Sequence, residues 1–188
     1  MGEKLYLDAQ TLLEDSFRLG AEVVKSGFRP TFIVALWRGG VPMGIAVQEL
    51  LQYFEIKTDH IAIRTAYYSS IDSKAEKVAV YGMNYLIKNC RHDDKLLFVD
   101  DVFDTGKTLQ AVIQHLEKSA RRNTPHDIRI AVPYYKPTRN ETSIAPDYYL
   151  HETEQWLKYP HSLEGLSDNE IRAHRPELAA ILDQAKQA

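Results

Sequence analysis

Apolar positions recur at helical spacing near the start of the chain, then give way to short unbroken apolar runs. From about Asp8 to Lys25, the positions Leu13, Phe17, Gly20/Ala21 and Val24 mark one face of a helix, with Thr11 and Glu14 in capping-box spacing. Gly27 and Pro30 end it. The run from Phe32 to Leu36 reads as a buried strand, stopped by Trp37-Arg38-Gly39-Gly40 and followed by a helix from Val41 to Tyr53. A second strand is expected from Ile56 to Ile63, a polar loop from Arg64 to Lys74, a short strand from Lys77 to Val80 and a short helix from Asn84 to Asn89. Lys95 to Val99 is the strongest buried strand. An acidic turn follows it, then a helix from Thr108 to about Arg121 and strands from Ile128 to Tyr134 and from Asp147 to His151.

Strands that alternate with helices, and are apolar throughout rather than on alternate residues, predict an α/β fold. Its sheet should be mainly parallel with helices on both faces. Ligands of such sheets bind at the carboxyl ends of the strands. That rule selects the loops after Leu36, Val99 and Tyr134. Near the C-terminus Ser167 and Glu170 repeat the capping-box spacing, and Pro176 opens a last helical turn carrying Leu178, Ile181 and Leu182. The expected organisation is one domain, with a core over about 28–152 and a small hood from about 1–27 and 153–188.

Composition narrows the setting. The chain has 188 residues, 44% hydrophobic and 26% charged, which suffices for a packed core and argues against disorder. No apolar stretch reaches the ~18 residues of a membrane span, and the N-terminus has no secretory pattern. The single cysteine, Cys90, forms no internal disulfide, so a cytoplasmic location is expected. A net charge of −3 argues against nucleic acid as a partner while leaving anionic small ligands open. None of the seven histidines has the spacing of a zinc site, and Cys90 has no catalytic motif around it.

The segment Leu96-Leu97-Phe98-Val99-Asp100-Asp101-Val102-Phe103-Asp104-Thr105-Gly106-Lys107-Thr108 carries the most chemistry. A buried strand delivers two carboxylates to its exposed end, and the chain then turns into a helix. The N–H groups and positive dipole end of that helix suit a phosphate. Thr105 and Thr108 can add hydroxyl donors. Gly106-Lys107-Thr108 matches the end of a nucleoside-triphosphate P-loop, but the first glycine of that motif would fall on Asp101, which would repel phosphate. Two acids beside a phosphate cradle suit a sugar phosphate instead. The bland alternative is that these acids only cap and solvate a turn.

This segment resembles the phosphoribosyl pyrophosphate (PRPP) motif of the type I phosphoribosyltransferases, and its Asp-Thr-Gly-Lys-Thr ending is most like the 6-oxopurine (hypoxanthine/xanthine-guanine) branch. The resemblance implies that Asp100 and Asp101 bind the ribose hydroxyls and, mostly through water or those hydroxyls, Mg²⁺. It implies that Asp104, Thr105, Gly106, Lys107 and Thr108 hold the 5-phosphate, and that Asp104 also faces the purine N7 as acid or base. Arg38 and Gly39 match the family's pyrophosphate loop, which commonly carries a cis peptide. Lys136 matches the lysine that donates to the purine 6-oxygen. Trp156 and Leu157 match the base-stacking segment, and Tyr67 or Tyr68 the flexible loop that covers the site. Where near relatives have an acid after Pro-Trp, this chain runs Pro160-His161-Ser162-Leu163-Glu164, so Glu164 is the remaining candidate for a second metal ligand.

The implied activity is transfer of phosphoribosyl from PRPP to a purine base by a Mg²⁺-dependent transferase, in purine salvage, by a protein that forms a homodimer or higher homo-oligomer. Two alternatives stand beside it: a PRPP-sensing regulatory protein of the same fold with little catalysis, and a pyrimidine phosphoribosyltransferase. Lys136 followed by a tryptophan segment disfavours the latter.

Overall fold

A computed structural model describes residues 4–69 and 76–186. They form two compact units, one from Leu12 to Glu154 and one made of the chain through Thr11 together with the chain from Gln155 onward.

The larger unit is built on one sheet. Its strands are β2 (Phe32–Trp37), β3 (Asp59–Ser69), β4 (Glu76–Tyr81), β5 (Lys95–Val99), β6 (Val102–Phe103), β7 (Asp127–Tyr135) and β8 (Tyr148–Glu152). The order is β4-β3-β2-β5-β7-β6, with β8 also on β7. Every pairing is parallel except β3 with β4. The stretches Phe32–Leu36, Leu96–Val99 and Ile130–Val132 are apolar throughout because both faces of the sheet are covered there. On one face Phe32, Val34, Leu36, Leu96, Phe98, Ile130 and Val132 join a core with α3 (Asn84–Asn89) and α4 (Lys107–Ala120), through Leu86, Leu109, Val112 and Leu116. On the other face Ala35 touches Gly44 of α2 (Gly40–Tyr53), and α1 (Ala9–Lys25) packs Gly20 against Leu50 and Val47 of that helix. The pairings Ala35 with Val99 and Val99 with Ala131 bring the carboxyl ends of β2, β5 and β7 side by side.

Three sequence expectations need correction. The strand expected to stop at Ile63 continues to Ser69, because β4 pairs with Arg64 to Ser69 and satisfies their backbone groups. Arg64 to Ser69, including Tyr67 and Tyr68, is therefore strand and not loop, while Ser70 to Lys74 lie outside the described residues. Helix α1 (Ala9–Lys25) buries Leu12, Asp15, Ser16, Leu19, Gly20 and Val23, and leaves Leu13 and Phe17 exposed. The buried face is concealed in the sequence by its polar members. Asp15 accepts from Arg18 at 2.6 Å and meets His151 Nε2 at 2.7 Å, and the Ser16 hydroxyl donates to the Leu12 carbonyl. The cap of α1 is Asp8, whose Oδ1 accepts from the Thr11 N–H at 2.9 Å, so Thr11 is capped and does not itself cap.

The smaller unit pairs β1 (Lys4–Tyr6) in parallel with β9 (Trp156–Lys158), and adds α5 (Asp168–His174) and α6 (Pro176–Ala185). Neither strand was anticipated. The Ser167–Glu170 capping box and Pro176 at the start of α6 are as expected.

Candidate active site

At the end of β5 the chain leaves the core at Val99 and turns through two acids. The Asp101 N–H donates to Asp100 Oδ1 at 2.9 Å, and the Asp100 N–H donates to the Ala131 carbonyl of β7 at 3.2 Å. Burial, reinforced by the neighbouring Asp101 charge, pushes the Asp100 carboxyl well above the usual carboxylate range. Burial also lifts Asp101, to about 6, against the downward pull of backbone donors and the Arg38 guanidinium. At both carboxylates burial outweighs the neighbouring donors and cations. The loop after β2 closes on them from one side. The Trp37–Arg38 peptide is cis, as the resemblance implied, and a Cβ on Gly39 would run into the Asp101 carboxylate. Only glycine permits this approach.

The turn into α4 is shaped by Gly106, whose φ of +79° lies in the left-handed region. A Cβ there would also stand 2.8 Å from the Phe103 ring and against the Thr142 hydroxyl. With this turn the first N–H groups of α4 face outward at the sheet's carboxyl end. The Glu141 N–H donates to the Thr105 carbonyl at 3.0 Å and the Lys107 ammonium pairs with the Glu141 carboxylate, tying the turn to the segment after β7. Tyr67, on β3, meets Thr108 Oγ1 through its hydroxyl at 2.9 Å. A cavity of about 170 Å³ is lined by Tyr67, Asp100, Asp101, Asp104, Thr105 and Thr108 among others.

Asp104 sits between two cations. Lys136 Nζ lies 3.5 Å from its Oδ2, and Arg139 Nε lies 2.7 Å from its Oδ1. The Arg139 contact is an ion pair out of line for a hydrogen bond, so Oδ1 is left without a hydrogen-bond partner. Lys136 is only 4% exposed. It reaches Asp104 because β6 pairs with the end of β7, Val102 with Tyr134 and Phe103 with Tyr135, and because the Lys136 N–H donates to the Phe103 carbonyl at 2.9 Å. Arg139 was missed by sequence reasoning. The available signal was Lys136-Pro137-Thr138-Arg139, since a proline opening a 3₁₀ turn eclipses residues three apart.

The large unit therefore gathers Arg38, Gly39, Asp100, Asp101, Asp104 to Thr108, Lys136 and Tyr67 around the three strand ends. Trp156, Leu157 and Glu164 belong to the smaller unit. There Leu157 is buried, while Trp156 is 57% exposed with Lys158 Nζ 5.4 Å from its ring centre. Lys158 donates to the carbonyls of Glu164 and Gly165, and Arg175 to those of Tyr159 and Ser162 at 2.6 Å each, so two cations fix the loop after β9. Arg175 too was missed. Among the described residues no group of three or more His, Cys, Asp or Glu is placed to hold a metal ion, and no helix is long and apolar enough to cross a membrane. Cys90 is buried, which raises its thiol and keeps it inert.

The phosphoribosyl transferase domain matches residues 4–167. Over 150 residues, 78% of this chain and 74% of the relative, the chain is 25% identical to the hypoxanthine-guanine phosphoribosyltransferase of Lactococcus lactis subsp. lactis. Over 146 residues, 76% of each, it is 27% identical to the bifunctional protein PyrR of Acetivibrio thermocellus. The crystal structure of a purine phosphoribosyltransferase from Pyrococcus horikoshii superposes with a TM-score of 0.67 at 27% identity, covering 87% of this chain and 97% of that one. With a match over nearly its whole length, and with the acids, phosphate turn and arginine-glycine loop at adjacent strand ends, the chain belongs to the phosphoribosyl transferase domain family.

Proposed function

We propose that the protein transfers phosphoribosyl from PRPP to a 6-oxopurine, hypoxanthine, guanine or xanthine, giving the nucleoside monophosphate and pyrophosphate. The observation that carries the choice of base is the buried Lys136 ammonium beside Asp104. An ammonium donates and cannot accept, so it favours a 6-oxo group over a 6-amino group. Trp156 is the stacking surface for the base in this reading, and Leu157 lies beside it in sequence. The reading includes a cytoplasmic, homo-oligomeric protein acting in purine salvage.

The first N–H groups of α4, with Thr105 and Thr108, bind the 5-phosphate and fix the sugar. Asp100 and Asp101 accept hydrogen bonds from the two ribose hydroxyls, and those donors offset the charge that burial leaves exposed. Arg38 meets the pyrophosphate. Asp104 moves the proton at the purine N7 while N9 joins the anomeric carbon and the pyrophosphate oxygen leaves it. The transition state is oxocarbenium-like, so positioning and charge complementarity carry most of the catalysis.

The donor set suits Mg²⁺. That ion commonly keeps several waters and takes one or two carboxylates plus substrate oxygens, and two adjacent carboxylates short of compensating charge match this habit. Asp100 and Asp101 would hold it, directly or through water and ribose hydroxyls, and Glu164 is a further candidate. When bound it supplies positive charge to the departing pyrophosphate.

The test is product formation from PRPP and Mg²⁺ with hypoxanthine, guanine, xanthine, adenine and uracil supplied separately. Turnover with a 6-oxopurine and none with adenine is the expected result. Turnover with adenine or uracil instead would overturn the choice of base. The relatives named PyrR keep a second reading in view, a PRPP-sensing protein with little catalysis. Tight PRPP binding without turnover on any base would favour it.

A further inference from the structure

We propose that Tyr67 is a positioning residue of the phosphate cradle: its phenol orients the Thr108 hydroxyl so that the Thr108 proton is presented to the bound phosphate. The inference rests on the phosphoribosyl reading above and adds to it a residue from a strand outside the acidic motif. It begins with the length of β3. Ile63 lies in the core with Leu109 and Val112 of α4, and the two-residue period of a strand puts Thr65 and Tyr67 on that same side. Four residues of extended chain carry Tyr67 about 13 Å beyond Ile63, toward the start of α4. The β4 pairing, Thr65 with Val80 and Tyr67 with Val78, makes this extension a strand and fixes its direction.

The ring of Tyr67 is 52% exposed, so core packing does not explain its placement. Its hydroxyl lies 2.9 Å from Thr108 Oγ1, beside the cavity lined by Asp100 to Asp104 and the phosphate turn. Either oxygen can donate in that pair. A phosphate removes the ambiguity. The dianion only accepts, and the Thr108 hydroxyl has one proton, so with the dianion bound that proton goes to the phosphate and Thr108 Oγ1 must accept from Tyr67. The result is a chain running from phenol to threonine hydroxyl to phosphate, in which each bond polarises the next. Tyr67 thus acts through Thr108, without touching the reacting atoms.

Tyr67→Phe removes the donor and keeps the ring. The expected outcome is a rise of about 3- to 10-fold in KM for PRPP and in Kd for ribose 5-phosphate measured by calorimetry. The KM for the base should stay unchanged and kcat should move less than about twofold, a split that general loosening of the fold would not give. Thr108→Val should weaken ribose 5-phosphate binding by itself, and adding Tyr67→Phe to it should cost nothing more. Thr108→Ser, which keeps the hydroxyl, should keep the Tyr67→Phe penalty. Wild-type affinity in Tyr67→Phe, or losses that multiply in the double variant, would overturn the relay while leaving the phosphate cradle standing. Failure of the wild-type protein to bind ribose 5-phosphate would remove the cradle, and the relay with it.

Discussion

Asp101 and Asp104 lie within four positions of each other, yet their surroundings treat their charges differently. Asp104 has Arg139 and Lys136 as counter-charges, which suits a group that must meet a proton at a defined place. If it is the acid or base at N7, Asp104→Asn should lower turnover by about 10²- to 10⁴-fold with PRPP affinity largely kept. Near-wild-type turnover would remove it from the mechanism. At Asp101 burial outweighs the pull of its hydrogen-bond donors and of Arg38, and holds its carboxyl up at about 6, against an ordinary value of 3.8. The folded protein therefore keeps this proton after the unfolded chain has lost it, and stability falls as pH rises from about 4 to about 6. Asp101→Asn deletes that penalty. The variant should be more stable than wild type at pH 8, by up to ~3 kcal/mol, and the two should converge below about pH 4. It should also bind PRPP poorly. Denaturant midpoints at the two pH values check the first part, and equal midpoints at pH 8 would mean the charge is already compensated.

The turn into α4 shows how an element depends on a single backbone conformation. Gly106→Ala must bring a side chain into the left-handed region and against Phe103 and Thr142, so a loss of ~2–4 kcal/mol is expected. Ribose 5-phosphate affinity should fall with it, because the α4 N–H groups lose their aim. Thermal unfolding and calorimetry on one sample would test both, and an unchanged affinity would separate the turn from the phosphate site. This glycine was legible in the sequence, as were β5, α5 and the acidic turn, because each is written in local residues: an apolar run, a capping pattern at Ser167 and Glu170, a Gly before a helix. What was not legible depends on partners far along the chain. β3 could not be extended past Ile63 without knowing that β4 returns alongside it, since Arg64 to Ser69 is too polar to look like a buried strand. The buried face of α1 was misplaced by one position because Asp15 and Ser16 are polar, and one of the two partners that hold Asp15 inside, His151, lies 136 residues away. Arg175 has partners that no local pattern names, and the local pattern at Arg139 does not name Asp104.

At the scale of the whole chain, the proposed phosphate cradle and the proposed base platform stand in different compact units with different means of support. The larger unit has a sheet covered on both faces. The smaller one buries few large side chains, Leu157, Tyr159 and Ile171 among them, and is tied together by polar contacts between the two chain ends. Lys4 pairs with Glu170, the Tyr6 hydroxyl donates to the same carboxylate at 3.0 Å, and the Tyr6 ring stacks on His174 at 3.7 Å. Lys4 and the Ser167 groups hold the Glu170 carboxyl down at about 2, so this tie weakens only as pH falls from the ordinary carboxylate range through about 2. Near neutral pH the vulnerable element is β1 itself, the partner of β9 in its two-stranded sheet. Deleting residues 1–7 leaves Trp156 on an unpaired strand and Glu170 without Lys4. The truncated protein should bind ribose 5-phosphate within about twofold of wild type, because the cradle lies entirely between Leu12 and Glu154. Base-dependent turnover should fall by at least ~100-fold, since a base without a fixed platform loses its near-attack geometry. Calorimetry and the base assay on the same preparation separate these outcomes. Full turnover after the deletion would mean that Trp156 is not where the purine stacks, and loss of ribose 5-phosphate binding would mean that the large unit does not stand without the N-terminal strand.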